Sequence, residues 1–157
     1  MTREDLARWW GVKPPEGGRM LRALESELAE VAVEGAPMLM LREHVAEAAV
    51  AEPLRSVRLL PGFDQYVIAA TLHAEALMPG PFKTRVHRPQ GWISPVLLVG
   101  GRMAGVWRHE RKGKRLLVEV EPFARVPKWA REAATAEAER LAEFLGGSLE
   151  LSWNRGA

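Results

Sequence analysis

The chain has 157 residues, no cysteine, six tryptophans and eleven prolines, with 47% apolar and 27% charged residues. That is enough for one domain or two small ones and excludes a large multidomain machine. Without cysteine there is no disulfide scaffold, thiolate zinc site or cysteine nucleophile. No apolar run approaches the roughly 18 residues of a membrane span, and MTREDLARWW carries acids and lacks the apolar stretch of a secretory signal. A cytoplasmic globular protein with no membrane partner is therefore expected. The net charge of +2 hides an asymmetry: residues 1–52 carry −4, 53–82 are neutral, 83–115 hold nine Lys/Arg against Glu110, and 116–157 carry −2. Such segregation points to a partner rather than to a fold.

Thr2 and Asp5 can form a capping box for a first helix with Leu6, Trp9 and Trp10 on its apolar face, up to Gly11. Pro14-Pro15-Glu16-Gly17-Gly18 reads as a break. From Arg19, the spacing of Met20, Leu21, Leu24, Leu28 and Val31 predicts a second helix running toward Glu34. Part of that stretch also reads as a hairpin, Ala29–Val33 with Met38–Arg42 around Gly35-Ala36-Pro37. Two helices and a hairpin are most of a winged helix. The further helix that would complete one has no place ahead of them in this chain. Residues 43–56 are helix-like, limited by Pro53. Leu59-Leu60-Pro61-Gly62 reads as a turn, after which Asp64 caps a short helix from Gln65 to about Leu72. Pro79-Gly80-Pro81 is the clearest break.

The second half reads as sheet. Ile93–Val99 turns at Gly100-Gly101 into Arg102–Arg108, HERKG (109–113) is a polar loop, and Lys114–Glu121 alternates with Leu116, Val118 and Val120 on one side. Pro127 opens a helix to about Leu145 with Ala130, Ala134, Leu141 and Leu145 on one stripe, and Gly146-Gly147 ends it. Ser148–Trp153 is a final strand.

Catalytic signatures are absent: no GxSxG, no phosphate-binding P-loop and no GxGxxG after a strand. His44, His73, His87 and His109 show no ligand spacing, so no metal and no cofactor are expected. The candidate nucleic-acid-binding residues are Lys83, Arg85, Arg88, Arg102, Arg108, Arg111, Lys112, Lys114 and Arg115, interleaved with His87, Trp92 and Trp107. Several cations on one surface neutralise phosphates, and arginine adds bidentate geometry. Against this stands a solvated hairpin whose arginines pair with Glu119, Glu121 and the acidic C-terminal helix. The helix from Arg19 carries Glu25, Glu27 and Glu30, which would face phosphates badly, so packing is its expected role. The tryptophans read as core anchors sooner than as stacking platforms.

LLPGFDQYV (59–67), RVHRPQGWISPVLLVGGRMAGVW (85–107), VEVEPF (118–123) and AERLAEFLGG (138–147), with DLARWWG (5–11), resemble the bacterial winged-helix DNA-binding family that includes DNA glycosylases for alkylated and interstrand-crosslinked DNA. The resemblance implies tandem winged helices around a concave DNA-binding surface, and base excision in the active members. It places this chain at the C-terminal portion of a protein more than twice as long. The family's catalytic motif, a glutamine followed two residues later by Gln or Asp, belongs to the N-terminal portion. Gln65 and Gln90 are followed at that distance by Val67 and Trp92, so no catalytic residue carries over. Ala69, Thr71, Leu72 and His73 stand where relatives carry a glycine and then charged residues.

The expectation is an α+β protein. A partial winged helix over 1–58 would precede a small antiparallel α+β domain over 59–157. The 83–115 hairpins would bind DNA without catalysis. Two other readings remain: a glycosylase-related enzyme completed by a partner chain, and a homodimeric interaction module paired through Trp9, Trp10 and the Met20/Leu24 face.

Overall fold

The computed structural model describes residues 1–33, 35–52, 54–69, 74–78 and 80–154. It is a mixed α+β structure of two compact units, Met1–Pro53 and Leu54–Ala157.

In the first unit Thr2 and Asp5 cap α1 (Arg3–Trp10) reciprocally: the Asp5 amide donates to Thr2 Oγ1 at 3.2 Å and the Thr2 amide to Asp5 Oδ2 at 2.6 Å. Gly11, at φ 69°, closes the helix. The prolines do not break the next element but begin it. Pro14 and Pro15 occupy the first turn of α2 (Pro14–Ala23), where an N–H would have no intrahelical acceptor. α1 and α2 meet at Gly17, where a Cβ would lie 2.7 Å from the Arg3 carbonyl oxygen. The apolar residues buried in this unit, among those described, are Leu6, Ala7 and Leu21. Trp9 and Trp10 lie outside, 57% and 60% exposed, contrary to the expected apolar face.

The helix reading of Leu28 and Val31 fails. Leu24 leaves helical geometry, a single 3-10 turn follows (Glu25–Glu27), and β1 (Leu28–Val33) pairs antiparallel with β2 (Ala36–Leu41). Arg42, just past β2, donates to the carbonyls of Ser26 at 3.4 Å and Leu28 at 2.5 Å, tying the hairpin's exit to its entry. The helix expected over 43–56 reduces to a 3-10 turn and α3 (Val45–Ala49).

The second unit is a five-stranded sheet in sequential order: β3 (Val57–Leu60), β4 (Val96–Val99), β5 (Arg102–Lys112), β6 (Arg115–Pro122) and β7 (Ser148–Trp153). Leu59-Leu60, expected as a turn, belongs to β3, which pairs with β4 from Val57↔Val99 to Leu60↔Val96. The second unit therefore begins ahead of the expected boundary at 58/59. The sheet is not wholly antiparallel either. β7 runs parallel to β6 because α7 (Lys128–Phe144) carries the chain back between them.

α7 lies on one face of the sheet through Ala130, Ala134, Ala138 and Ala142, all at most 2% exposed, over Leu97, Trp107, Leu116, Val118 and Val120. The alanine ridge follows from spacing by four and lets helix backbone and sheet approach closely. Three short helices, α4 (Gln65–Ala69), α5 (Ala74–Leu77) and α6 (Lys83–Val86), accompany a second cluster of Val67, Met78, Val86, Val96, Met103 and Phe123. Asp64 caps the start of α4, accepting from the Tyr66 amide at 2.9 Å. The expected extension to Leu72, and His73, lie outside the described residues. No helix of the described residues is long and apolar enough to cross a membrane.

Candidate nucleic-acid interface

The cationic window folds differently from the polar loop expected at 109–113. HERKG is not a loop: β5 continues through Lys112, and the turn is Gly113-Lys114, with Gly113 at φ 61°. Successive strand residues point to opposite faces, so the charges divide. Arg108, Glu110 and Lys112 share one row with Arg115, Leu117 and Glu119 of β6. His109 and Arg111 fall on the other row, opposite Val118 and Leu116, and the His109 ring stacks 5.5 Å from Trp107.

β6 and β7 supply acids to the first row, and several of the nine candidates are spent on them. Arg108 Nε donates to Glu119 Oε2 at 2.6 Å, and its Nη2 meets the same oxygen. Glu119 also accepts from Asn154 Nδ2. Arg85 Nη2 lies 2.6 Å from Glu121 Oε1, with its guanidinium 5.2 Å from the Phe123 ring centre. Arg115 pairs with Glu150 at 3.3 Å and Lys112 with Glu110 at 3.5 Å. On the exposed row Arg108, Lys112 and Arg115 thus face Glu110, Glu119, Glu121 and Glu150, so the +8 of the linear segment is not a +8 surface. Pairs of this exposure contribute about 0–1 kcal/mol each to stability. Their larger effect is to occupy the cations.

The other candidates behave differently. Lys83 and Arg88 are exposed on α6 and the loop after it, and Lys114 is exposed in the hairpin turn; none makes an ion pair among the described residues. Arg111 turns its Nε to the Gly113 carbonyl at 3.1 Å. Arg102 is exposed at the start of β5 and is engaged. Arg88 also lines a concavity of about 410 Å³ with Ser94, Pro95, Arg108, Glu119 and Glu121.

Sequence reading missed a second basic locus. A concavity of about 650 Å³ between the 122–127 loop and the start of α7 is lined by Arg125, Lys128, Arg131, Trp153 and Asn154, with no carboxylate in its wall among the described residues. Arg131 lies 4.6 Å over the Trp153 ring, and Lys128 reaches Glu132 at 3.7 Å. The signal was present as three cations in seven residues, but they fall outside the 83–115 window. Three cations beside an α7 first turn that holds no acid favour an anion.

Burial also sorts the aromatics. Trp107 is 6% exposed and its Nε1 donates to the Leu60 carbonyl at 2.8 Å, as a core anchor should. Trp92 is 61% exposed and sits edge-to-face with Phe63, ring centres 5.0 Å apart. Tyr66 donates its hydroxyl to the Gly101 carbonyl at 2.6 Å, and partial burial pushes its phenol above the usual range. No cluster of three or more metal-ligating side chains occurs among the described residues.

Comparison with known proteins gives this surface its context. The family described as "DNA glycosylase AlkZ-like" matches residues 1–144. An interstrand DNA cross-link repair glycosylase of Streptomyces sahachiroi is 34% identical over 150 residues, 94% of this chain and 39% of that protein. The solved structure of Streptomyces sahachiroi DNA glycosylase AlkZ is similar with a TM-score of 0.79 and 33% identity, over 98% of this chain and 41% of that one. The chain therefore spans about two-fifths of the length of these relatives. With fold and sequence in agreement over nearly its whole length, the chain belongs to the AlkZ-like DNA glycosylase family.

Proposed function

We propose that this chain binds DNA and performs no base excision of its own. The observation that carries the DNA part is the family match over residues 1–144. The absence of chemistry rests on the two glutamines: Gln65 opens α4 and Gln90 sits in a tight turn, and neither is followed two residues later by Gln or Asp. In this reading the two helices and hairpin of the first unit are a partial winged helix, matching the C-terminal portion of the longer relatives. The second unit supplies the phosphate contacts.

The cations left out of ion pairs, Lys83, Arg88 and Lys114, are then the contacts that count. Each neutralised phosphate contributes about 0.9 to the slope of log affinity against log salt. Replacing all three with alanine should lower the slope for a labelled duplex by about 2–3, whereas the Arg108→Ala/Arg115→Ala pair should move it by less than about 1. An unchanged slope in the triple variant rejects the 83–115 assignment. A slope lost instead on replacing Arg125, Lys128 and Arg131 moves the interface to the α7 concavity.

The relative's being a glycosylase favours a second reading, in which base excision occurs in this chain or in an active site shared with a partner chain. Release of an alkylated base from duplex by excess purified protein in a single turnover would establish it. No release, with duplex binding intact, leaves the first reading.

A further inference from the structure

Two segments of the second unit meet in an unusual way. Phe63 and Gln90, at φ 59° and 64°, are the non-glycine residues with positive φ among those described. Such backbone is disfavoured for L residues and persists only where its surroundings enforce it, which is often at a binding site. Here the surroundings do enforce it. The loop from Arg88 to Trp92 is closed by the Arg88 amide donating to the Trp92 carbonyl at 2.7 Å, with His87 and Ile93 bridged behind it. Ser94 then pins that segment to α6, its amide donating to the Val86 carbonyl at 2.9 Å and its hydroxyl to the Arg85 carbonyl at 2.9 Å. The Pro61–Asp64 loop packs close by, with the Cβ position of Gly62 only 3.0 Å from the Ile93 carbonyl oxygen.

These two constrained loops present aromatic surface to solvent rather than to the core. Phe63 is 46% and Trp92 61% exposed, and the edge of one ring meets the face of the other. A pair that packed only for stability would bury more of both rings. Their mutual contact fixes the indole before any ligand arrives, which removes part of the ordering cost of binding. Arg88, exposed and without an ion pair among the described residues, opens the Arg88–Trp92 loop. Nearby Asp64 is engaged by the Tyr66 amide.

We propose that the Phe63–Trp92 pair is a stacking platform for an unpaired nucleobase, with Arg88 taking an adjacent phosphate. An exposed indole on a loop that closes back on Arg88 fits a base on its backbone: stacking accepts any base, and the guanidinium supplies the charge complement. The site therefore selects single-stranded or interrupted DNA over intact duplex. The inference rests on the DNA-binding reading and deepens it.

The test measures affinities of the full chain for three labelled DNAs: intact duplex, the same duplex with a central unpaired loop, and a single strand. The wild type should bind the looped duplex and the single strand more tightly than intact duplex. Trp92→Ala should weaken those two about tenfold, the size of one lost stacked base, and change intact duplex less than twofold. Trp92→Phe should recover most of the loss. Arg88→Ala should weaken all three and flatten their salt dependence. Because Trp92 is exposed, an unchanged circular dichroism spectrum and melting temperature should accompany Trp92→Ala. Equal weakening on all three DNAs, or no weakening on any, overturns the platform while leaving DNA binding standing. A wild-type protein that binds none of the three overturns both.

Discussion

At the residue scale, what the sequence made legible were local helix caps. Thr2 with Asp5 and Asp64 with Tyr66 are contacts of two or three residues, and both form. What it could not separate were residues of one type with different fates. Trp92 and Trp107 lie in one motif, yet one is exposed and the other anchors the core, because burial depends on strands tens of residues away. Tyr66 offers a direct check at this scale, since it is the only tyrosine in the chain. Burial raises its phenol pKa in the folded state, so the neutral form is the one the fold holds. Its contribution is full below the ordinary tyrosine value and is lost as pH rises through the higher folded-state value. Phenolate absorbance should therefore develop at higher pH in the native protein than in denaturant. Coincident curves would contradict this.

At the element scale, the hairpin turn at Gly100-Gly101 and α7 were readable because each is written in neighbouring residues: paired glycines in one case, apolar residues spaced by four in the other. β3 was not, because its partner β4 begins 36 residues after β3 ends, and Val-Arg-Leu-Leu before Pro-Gly looks like the approach to a turn. HERKG was misread for another reason: its polarity suggested a loop, while a two-residue turn at Gly113 allows strand geometry to continue. The alanine ridge of α7 carries a prediction. Ala138→Leu forces about three extra side-chain carbons against the sheet and should cost about 1–3 kcal/mol in urea unfolding. Ala136→Leu, on the exposed side of the same helix, should stay within about 0.5 kcal/mol. Equal effects at the two positions would mean that α7 does not pack as described.

At the scale of the whole molecule, charge was the least transferable reading. Linear counting found the cationic segment, but folding placed Glu119, Glu121 and Glu150 beside its arginines, and pairing across strands is invisible to a sum along the chain. The units also differ in how much they bury. The first holds Leu6, Ala7 and Leu21 as its buried apolar residues among those described, whereas the second has two full clusters. Small units with little apolar burial open at low free-energy cost, and opening need not be global. The consequence is a gradient of protection within one chain. In deuterium exchange the amides of α1 and α2 should be replaced orders of magnitude sooner than those at the centre of β5 and β6, and uniform protection across the four elements would contradict it. Any rigid surface the protein offers a ligand is then one built on the sheet, with the N-terminal helices breathing on a faster clock.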